Sequence, residues 1–175
     1  MNQTILYIAT SQDGFIADSE GGVDWLPHPN SPQDLETLGY NELMARIDTI
    51  VMGHRSYQQI VTFGEWAWPD KHTYVFTSKV LESSELTIEF THETPKALME
   101  KLKQRLGNKD IWILGGAQLA QSFAREKLID EIILTIIPLR LEEGISLGLS
   151  LDAFYLSADK SCIDGIVQKT YLRKD

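Results

Sequence analysis

Five short apolar runs punctuate the chain, at residues 4–10, 49–53, 73–77, 110–114 and 131–137, each rich in β-branched or aromatic residues and bounded by polar or turn-forming ones. Their hydrophobicity is continuous, not alternating, which predicts strands covered on both faces, as in a parallel sheet. Helical spacing fills the intervals. Thr94 followed by Pro95 reads as an N-cap with proline at the first helical position, Leu98, Leu102 and Leu106 recur every four residues, and Gly107 stands at the expected stop. Leu119, Phe123 and Ala124 give an apolar face to a helix opening at Gly116-Ala117, and a third helix is expected over about residues 31–47. The tail differs: residues 155–161 and 166–172 alternate apolar and polar positions around Ile163-Asp164-Gly165, predicting a closing antiparallel hairpin. Strands alternating with helices predict an α/β fold with a mostly parallel central sheet and helices on both faces. The one long irregular stretch, residues 11–30, carries Gly14, Gly21, Gly22, Pro27 and Pro29 and has the length of a functional loop.

Composition narrows the partners. With 175 residues, 43% hydrophobic and 23% charged, the chain suits a single domain over residues 1–175. Sixteen Lys and Arg against 25 Asp and Glu give a net charge of −9. Such a chain lacks the cationic field that nucleic acid or an anionic membrane requires, so neither is expected as a partner. A single cysteine, Cys162, excludes an internal disulfide and a cysteine-based zinc cluster. No basic-then-apolar leader precedes residues 5–9, and no apolar run approaches the roughly 18 residues of a membrane span, so a cytoplasmic protein is expected. His28, His72 and His92 lack the mutual spacing of a metal site, and no metal is expected.

Three strand ends carry candidate chemistry. In Leu114-Gly115-Gly116-Ala117-Gln118-Leu119 a diglycine separates a strand from a helix, where free N–H groups and the helix dipole favour a phosphate; a tight turn is the plain alternative. Val51-Met52-Gly53-His54-Arg55-Ser56-Tyr57 repeats that design with two potentially cationic side chains, and Phe76-Thr77-Ser78-Lys79 offers two hydroxyls and a lysine. Each alone also fits a solvated loop. Parallel strands gather their carboxyl ends on one edge, so together the three suggest a polyphosphate ligand. Neither the Gly-x-Gly-x-x-Gly fingerprint nor the Gly-x-x-x-x-Gly-Lys loop is present, which disfavours an ordinary Rossmann dehydrogenase and a P-loop kinase.

The order Ile8-Ala9-Thr10-Ser11-x-Asp13-Gly14-x-Ile16-Ala17, Val23-Asp24-Trp25-Leu26, Met52-Gly53-x-x-Ser56-Tyr57, Gly64-Glu65-Trp66-x-x-Pro69-Asp70-Lys71, Gly115-Gly116 and Leu128-Ile129-Asp130-Glu131 resembles the dihydrofolate reductase-like superfamily. Within it the chain is most similar to the branch holding the reductase domain of the bifunctional riboflavin-biosynthesis deaminase-reductase and its stand-alone relatives. The resemblance implies a three-layer dihydrofolate reductase-like fold that binds NADPH across the carboxyl edge of its strands. It implies that Gly115, Gly116, Ala117, Gln118 and Leu119 hold the pyrophosphate. Gly53, His54, Arg55 and Ser56, with Thr77, Ser78 and Lys79, would surround the adenosine 2′-phosphate, and Ala9 and Ile16 would flank the nicotinamide. The family's usual Met-Gly-Arg is here Met52-Gly53-His54-Arg55. One cysteine and no His-x-Glu cannot build the deaminase's zinc site, so any role rests on reduction.

Hydride delivery to a carbon–nitrogen double bond calls for a matching proton. Pro32-Gln33-Asp34-Leu35 resembles the Pro-x-Asp-Leu that carries the acid in dihydrofolate reductases, although its interval from Trp25 is longer; Asp34 is the candidate donor, with a plain helix-start acid as the alternative. Trp25 is a candidate substrate lid or a hydrophobic anchor for the long loop. Asp13 reads as a turn former, Asp24 as a loop acid, and Trp66 and Trp68 as anchors of a polar loop. The expected activity is NADPH-dependent reduction of a small heterocyclic or imine-like substrate, with 5-amino-6-(5-phosphoribosylamino)uracil, the riboflavin-branch substrate, in view. Dihydrofolate reduction and a non-catalytic nucleotide-binding module are the alternatives. A homodimer is expected from the apolar residues 134–139 and 145–151, which exceed what one small sheet should cover.

Overall fold

The computed structural model describes residues 2–27, 32–83, 85–104 and 109–175. Its elements run β1 (Thr4–Ser11), β2 (Phe15–Ala17), α1 (Pro32–Thr37), α2 (Tyr40–Arg46), β3 (Ile47–Gly53), α3 (His54–Val61), β4 (His72–Phe76), β5 (Ile88–Thr91), α4 (Pro95–Lys103), β6 (Asp110–Gly115), α5 (Ala117–Arg125), β7 (Glu131–Ile137), β8 (Ile145–Ser146), β9 (Phe154–Ser161) and β10 (Val167–Arg173). Eight strands form one sheet in the order β5-β4-β3-β6-β1-β7-β10-β9. The pairs from β5 through β7 are parallel, while β10 lies antiparallel to both β7 and β9. All five apolar runs become interior strands and the tail becomes the antiparallel hairpin.

Side chains alternate across each strand, so the sheet has two cores. Leu6, Ile8, Val51, Tyr74, Ile113 and Ile132 face α4 and α5, where Leu98, Leu102, Leu119 and Phe123 cover them. On the other face Ile5, Ile50, Met52, Val75 and Trp112 meet Leu43 of α2, with Tyr57 and Ile60 of α3 packed against them. An aromatic chain closes that second layer. Trp112 stacks edge-on with Trp68 at 5.4 Å, Trp68 with Trp66 at 5.3 Å, and the Trp68 indole donates to the Tyr40 hydroxyl at 2.8 Å. Trp66 and Trp68 are therefore loop anchors. At the amino edge of the sheet Arg46 ties α2 to two strands, through Asp110 at 3.0 Å and Glu131 at 2.7 Å.

The expected helix over residues 31–47 is two short helices. Gly39 has φ +73°, a left-handed conformation that ends one helix and starts another at an angle, and Ile47 already belongs to β3. A helix of six residues such as α1 cannot sustain itself in water, so its place depends on what it touches. The cap of α4 forms as read, with Thr94 Oγ1 accepting the Ala97 N–H at 3.2 Å; its expected end at Leu106 and Gly107 lies outside the described residues, as do Ser31, His28, Pro29 and Asn30. The sequence pattern passed over β5, whose alternating Ile88-Glu89-Phe90-Thr91 is a short edge strand. The long loop also holds β2, paired with β8.

The apolar stretches thought to need a partner are mostly covered within the chain. Leu147 is buried, and Leu134, Leu149 and Leu151 pack on the first core, because residues 145–151 fold back over α5. Among the described residues the exposed large apolar side chains are Ile145, within that stretch, and, elsewhere, Val61, Phe63, Val80, Leu86, Tyr155 and Leu156.

Candidate cofactor and active site

Register brings the three expected strand ends together. Gly53 at the end of β3 pairs with Phe76 of β4, and Met52 pairs with Gly115 of β6. Two helices start from this edge: α3 at His54 and α5 at Ala117, both preceded by a glycine that supplies no side-chain cap. Their first-turn N–H groups thus face the edge without side-chain acceptors, the arrangement that favours an anion. The peptide between Gly115 and Gly116 is cis, and Gly115 has φ +142°, a region that favours glycine. A Cβ on Gly116 would stand 3.6 Å from Ser56 Oγ, so the diglycine and the start of α3 line the same concavity, while the space beside Gly53 is open.

His54 is the most informative group at this edge. Both of its ring nitrogens are buried, and neither has a hydrogen-bond partner. Buried polar atoms without partners are rare in folded chains, and two on one imidazole at a double helix start fit a ligand with anionic oxygens. Around it, Arg55, Ser78 and Lys79 are exposed, and among the described residues neither Arg55 nor Lys79 enters an ion pair. The Thr77 hydroxyl accepts the Lys79 N–H at 3.0 Å, and the Thr77 carbonyl meets His92 Nδ1 at 2.7 Å. His92, weighed in the sequence only as a metal ligand, joins this edge. These residues fit a phosphorylated cofactor. Gln118 is exposed and Leu119 buried, so what the first turn of α5 offers at this edge is its backbone N–H groups.

Further along the edge Ala9 of β1 pairs with Thr135 of β7, which pairs with Gln168 of β10, forming one row across three strands. Ile16 stands on β2 and packs on the first core. Between them Asp13 acts as a latch. It accepts the Ser11 hydroxyl at 2.6 Å and the backbone N–H groups of Leu141 and Glu142 at 3.2 and 2.9 Å. The turn-former reading of Asp13 is thereby explained and extended, since it also ties the end of β1 to residues 141–142. Ser11's hydroxyl, foremost, with these N–H groups, lowers its carboxyl pKa to about 2.

Trp25 is half-buried and its indole N–H is buried without a partner, while Gln59 of α3 donates to the Gly21 carbonyl at 3.0 Å and holds the same loop. Asp24 is exposed. Asp34 lies half-buried on α1, and its backbone carbonyl accepts the Leu38 N–H at 3.0 Å. Sequence reading missed Tyr7, Thr135 and Gln168, a polar cluster on the α2 side of the sheet. Gln168 donates to Thr135 Oγ1 at 3.0 Å and to the Leu38 carbonyl at 2.8 Å, and the Tyr7 hydroxyl donates to that carbonyl at 3.0 Å. Burial pushes the Tyr7 phenol up to about 12. A glutamine at an inward position of an alternating strand was the available signal. Among the described residues no three metal-ligating side chains cluster, and no helix is long and apolar enough to cross a membrane.

A mostly parallel eight-stranded sheet with this strand order and an antiparallel hairpin at one edge defines the dihydrofolate reductase-like fold. A dihydrofolate reductase of Enterococcus faecalis, solved with NADP(H), shares the fold at a TM-score of 0.73 and 17% identity, covering 99% of this chain and 97% of its own. The chain belongs to the RibD C-terminal domain family, whose pattern matches residues 3–143. A Shewanella sp. PV-4 protein assigned to riboflavin biosynthesis superposes with a TM-score of 0.84 at 29% identity over 99% of both chains. The uncharacterized protein YwjB of Bacillus subtilis is 38% identical over 146 residues, covering 83% of this chain and 82% of that protein.

The lowered pKa of Asp13 has a defined consequence for stability. A carboxylate whose folded pKa lies below its unfolded value stabilises the fold above the unfolded value of about 4 and loses that contribution as pH falls through the folded value. Between pH 4 and about 2, Asp13→Asn should therefore lose less stability than the wild type, measured by urea titration at stepped pH, while being less stable at pH 7.

Proposed function

We propose that this protein is an NADPH-dependent reductase that delivers hydride to a small heterocyclic or imine-like substrate, with 5-amino-6-(5-phosphoribosylamino)uracil the leading candidate. The observation that carries the reading is the pair of buried, unpartnered His54 nitrogens at the joined starts of α3 and α5. When bound, NADPH would supply a hydride from its nicotinamide. The backbone of residues 115–119 would hold the pyrophosphate, and Ser56 would stand with the residues around the 2′-phosphate. His54 and Arg55 with Thr77, Ser78 and Lys79 would hold the 2′-phosphate, and Ala9 and Ile16 would orient the nicotinamide. Asp34 would place a proton on the substrate nitrogen as its neighbouring carbon accepts hydride, and Trp25 would cover the substrate and exclude water. Family membership and the riboflavin-linked relative support the aminopyrimidine substrate. The test is NADPH oxidation, followed by absorbance, with that compound, with dihydrofolate, and with neither. Turnover of the first supports the reading, turnover of dihydrofolate alone replaces the substrate, and no turnover with tight NADPH binding leaves a nucleotide-binding module.

A homodimer belongs to the same proposal, with its contact placed on β9, the open sheet edge where Tyr155 and Leu156 are each 49% exposed. Light scattering should return twice the 19.8 kDa of one chain at micromolar concentration; the monomer mass across that range would overturn it.

Cofactor preference follows from the charges. An NAD-specific site places a carboxylate on the ribose 2′-hydroxyl, whereas the two strand ends here carry His54, Arg55 and Lys79 and no acid. A charge-assisted hydrogen bond contributes about 1.5–3 kcal/mol. Arg55→Ala and Lys79→Ala should each weaken NADPH roughly 10- to 100-fold, less at high salt, and leave NADH nearly unchanged in calorimetric titrations. Equal wild-type affinity for the two cofactors would overturn the assignment.

A further inference from the structure

We infer that Tyr7 and Gln168 are positioning residues: they clamp the Leu38 carbonyl, and through it the short helix that carries Asp34, onto the sheet row containing Ala9. The inference rests on the reading of Asp34 as proton donor.

Three features carry it. First, α1 has six residues, too few for a helix to sustain itself, so its end is held from outside. Second, the holding groups come from three different strands and converge on two consecutive carbonyls. The Tyr7 hydroxyl of β1 and the Gln168 amide of β10 donate to Leu38 O at 3.0 and 2.8 Å, and the Lys160 ammonium of β9 donates to Thr37 O at 2.9 Å. The Leu38 N–H in turn donates to Asp34 O at 3.0 Å, so the clamped residue is bonded directly to the residue that bears the acid. Third, packing leaves room beside this turn. A cavity of about 110 Å³, bordered by Tyr7, Leu38, Gly39, Gln168 and Thr170, lies beside the turn, leaving hydrogen bonds to fix what close packing leaves loose.

The geometry also says why these groups matter to the reaction and not only to the fold. Gln168 uses its second N–H on Thr135 Oγ1, and Thr135 is the register partner of Ala9, which the proposed function sets against the nicotinamide. One side chain thus connects the acid's helix to the row beneath the hydride donor. Because Gln168 is 8% exposed and the Tyr7 hydroxyl stays protonated well beyond neutral pH, both bonds persist across the working range. A loss of roughly one ångström in the placement of a proton donor can lower turnover about 10²-fold.

The experiment uses the full chain and the variants Tyr7→Phe, Gln168→Leu, Asp34→Asn and Gln168→Leu/Asp34→Asn. Amide hydrogen exchange over residues 34–39, which needs no substrate, should accelerate at least tenfold in Tyr7→Phe and in Gln168→Leu, while amides of β1 and β6 keep their protection and NADPH affinity stays within about twofold. Turnover of the aminopyrimidine should fall at least tenfold in both with little change in KM, and the double variant should be no slower than Asp34→Asn alone. Unchanged exchange over residues 34–39 in both single variants overturns the clamp. So does accelerated exchange with unchanged turnover, or a double variant slowed by the product of the two single losses. Full turnover in Asp34→Asn is a separate result that removes the donor reading itself and, with it, the purpose of the clamp.

Discussion

A strand buried on both faces can offer unpaired polar groups to a ligand mainly at its ends. Four adjacent strands here, β4, β3, β6 and β1, lie in that condition, with one core against α4 and α5 and another against α2, α3 and the 66–68 aromatics. Everything needed to recognise a charged molecule is consequently concentrated at one edge. The glycines before α3 and α5 are the means: they let two helices start where the strands stop, without a side chain that would satisfy the N–H groups internally. A net charge of −9 over the chain does not prevent this edge from favouring an anion, because the local donors act at contact distance while the remote carboxylates are screened.

The second half of the site obeys a different rule. Where the hairpin β9–β10 extends the sheet past β7, no long helix covers it on the α2 side, and polar side chains can stand on the sheet face itself provided they bond to one another. Tyr7, Thr135 and Gln168 meet that condition by sharing the Leu38 carbonyl and their own donors. The groups available to a ligand are therefore of two kinds, backbone and side chains at the strand ends and bonded polar side chains in mid-strand.

These two rules also decide what the sequence disclosed. The interior strands were legible because continuous apolar runs have few other uses, and the three strand ends were legible because glycine beside hydroxyls and cations is a local signal. The division of residues 31–47 was not, since nothing short of its tertiary setting turns Gly39 from a tolerated helix residue into a left-handed break. β5 escaped because a four-residue edge strand alternates like many loops. The polar cluster escaped for a deeper reason: its members sit 128 and 33 residues apart, and only strand register makes Tyr7, Thr135 and Gln168 neighbours. In the apolar segment at 145–151 the leucines pack on the first core of the same chain, a placement that composition alone does not disclose.

The strand order has a consequence for synthesis. β1 ends at Ser11, yet both of its neighbours, β6 and β7, begin at Asp110 and Glu131 and leave the ribosome after it. At roughly 5–20 residues per second, an eight-residue apolar segment waits on the order of 5–20 s with neither edge paired. Even then β7 stays open until β10, which begins at Val167, emerges. An interruption of synthesis between β7 and β10 would leave the central strand paired on both sides and β7 with an open flank.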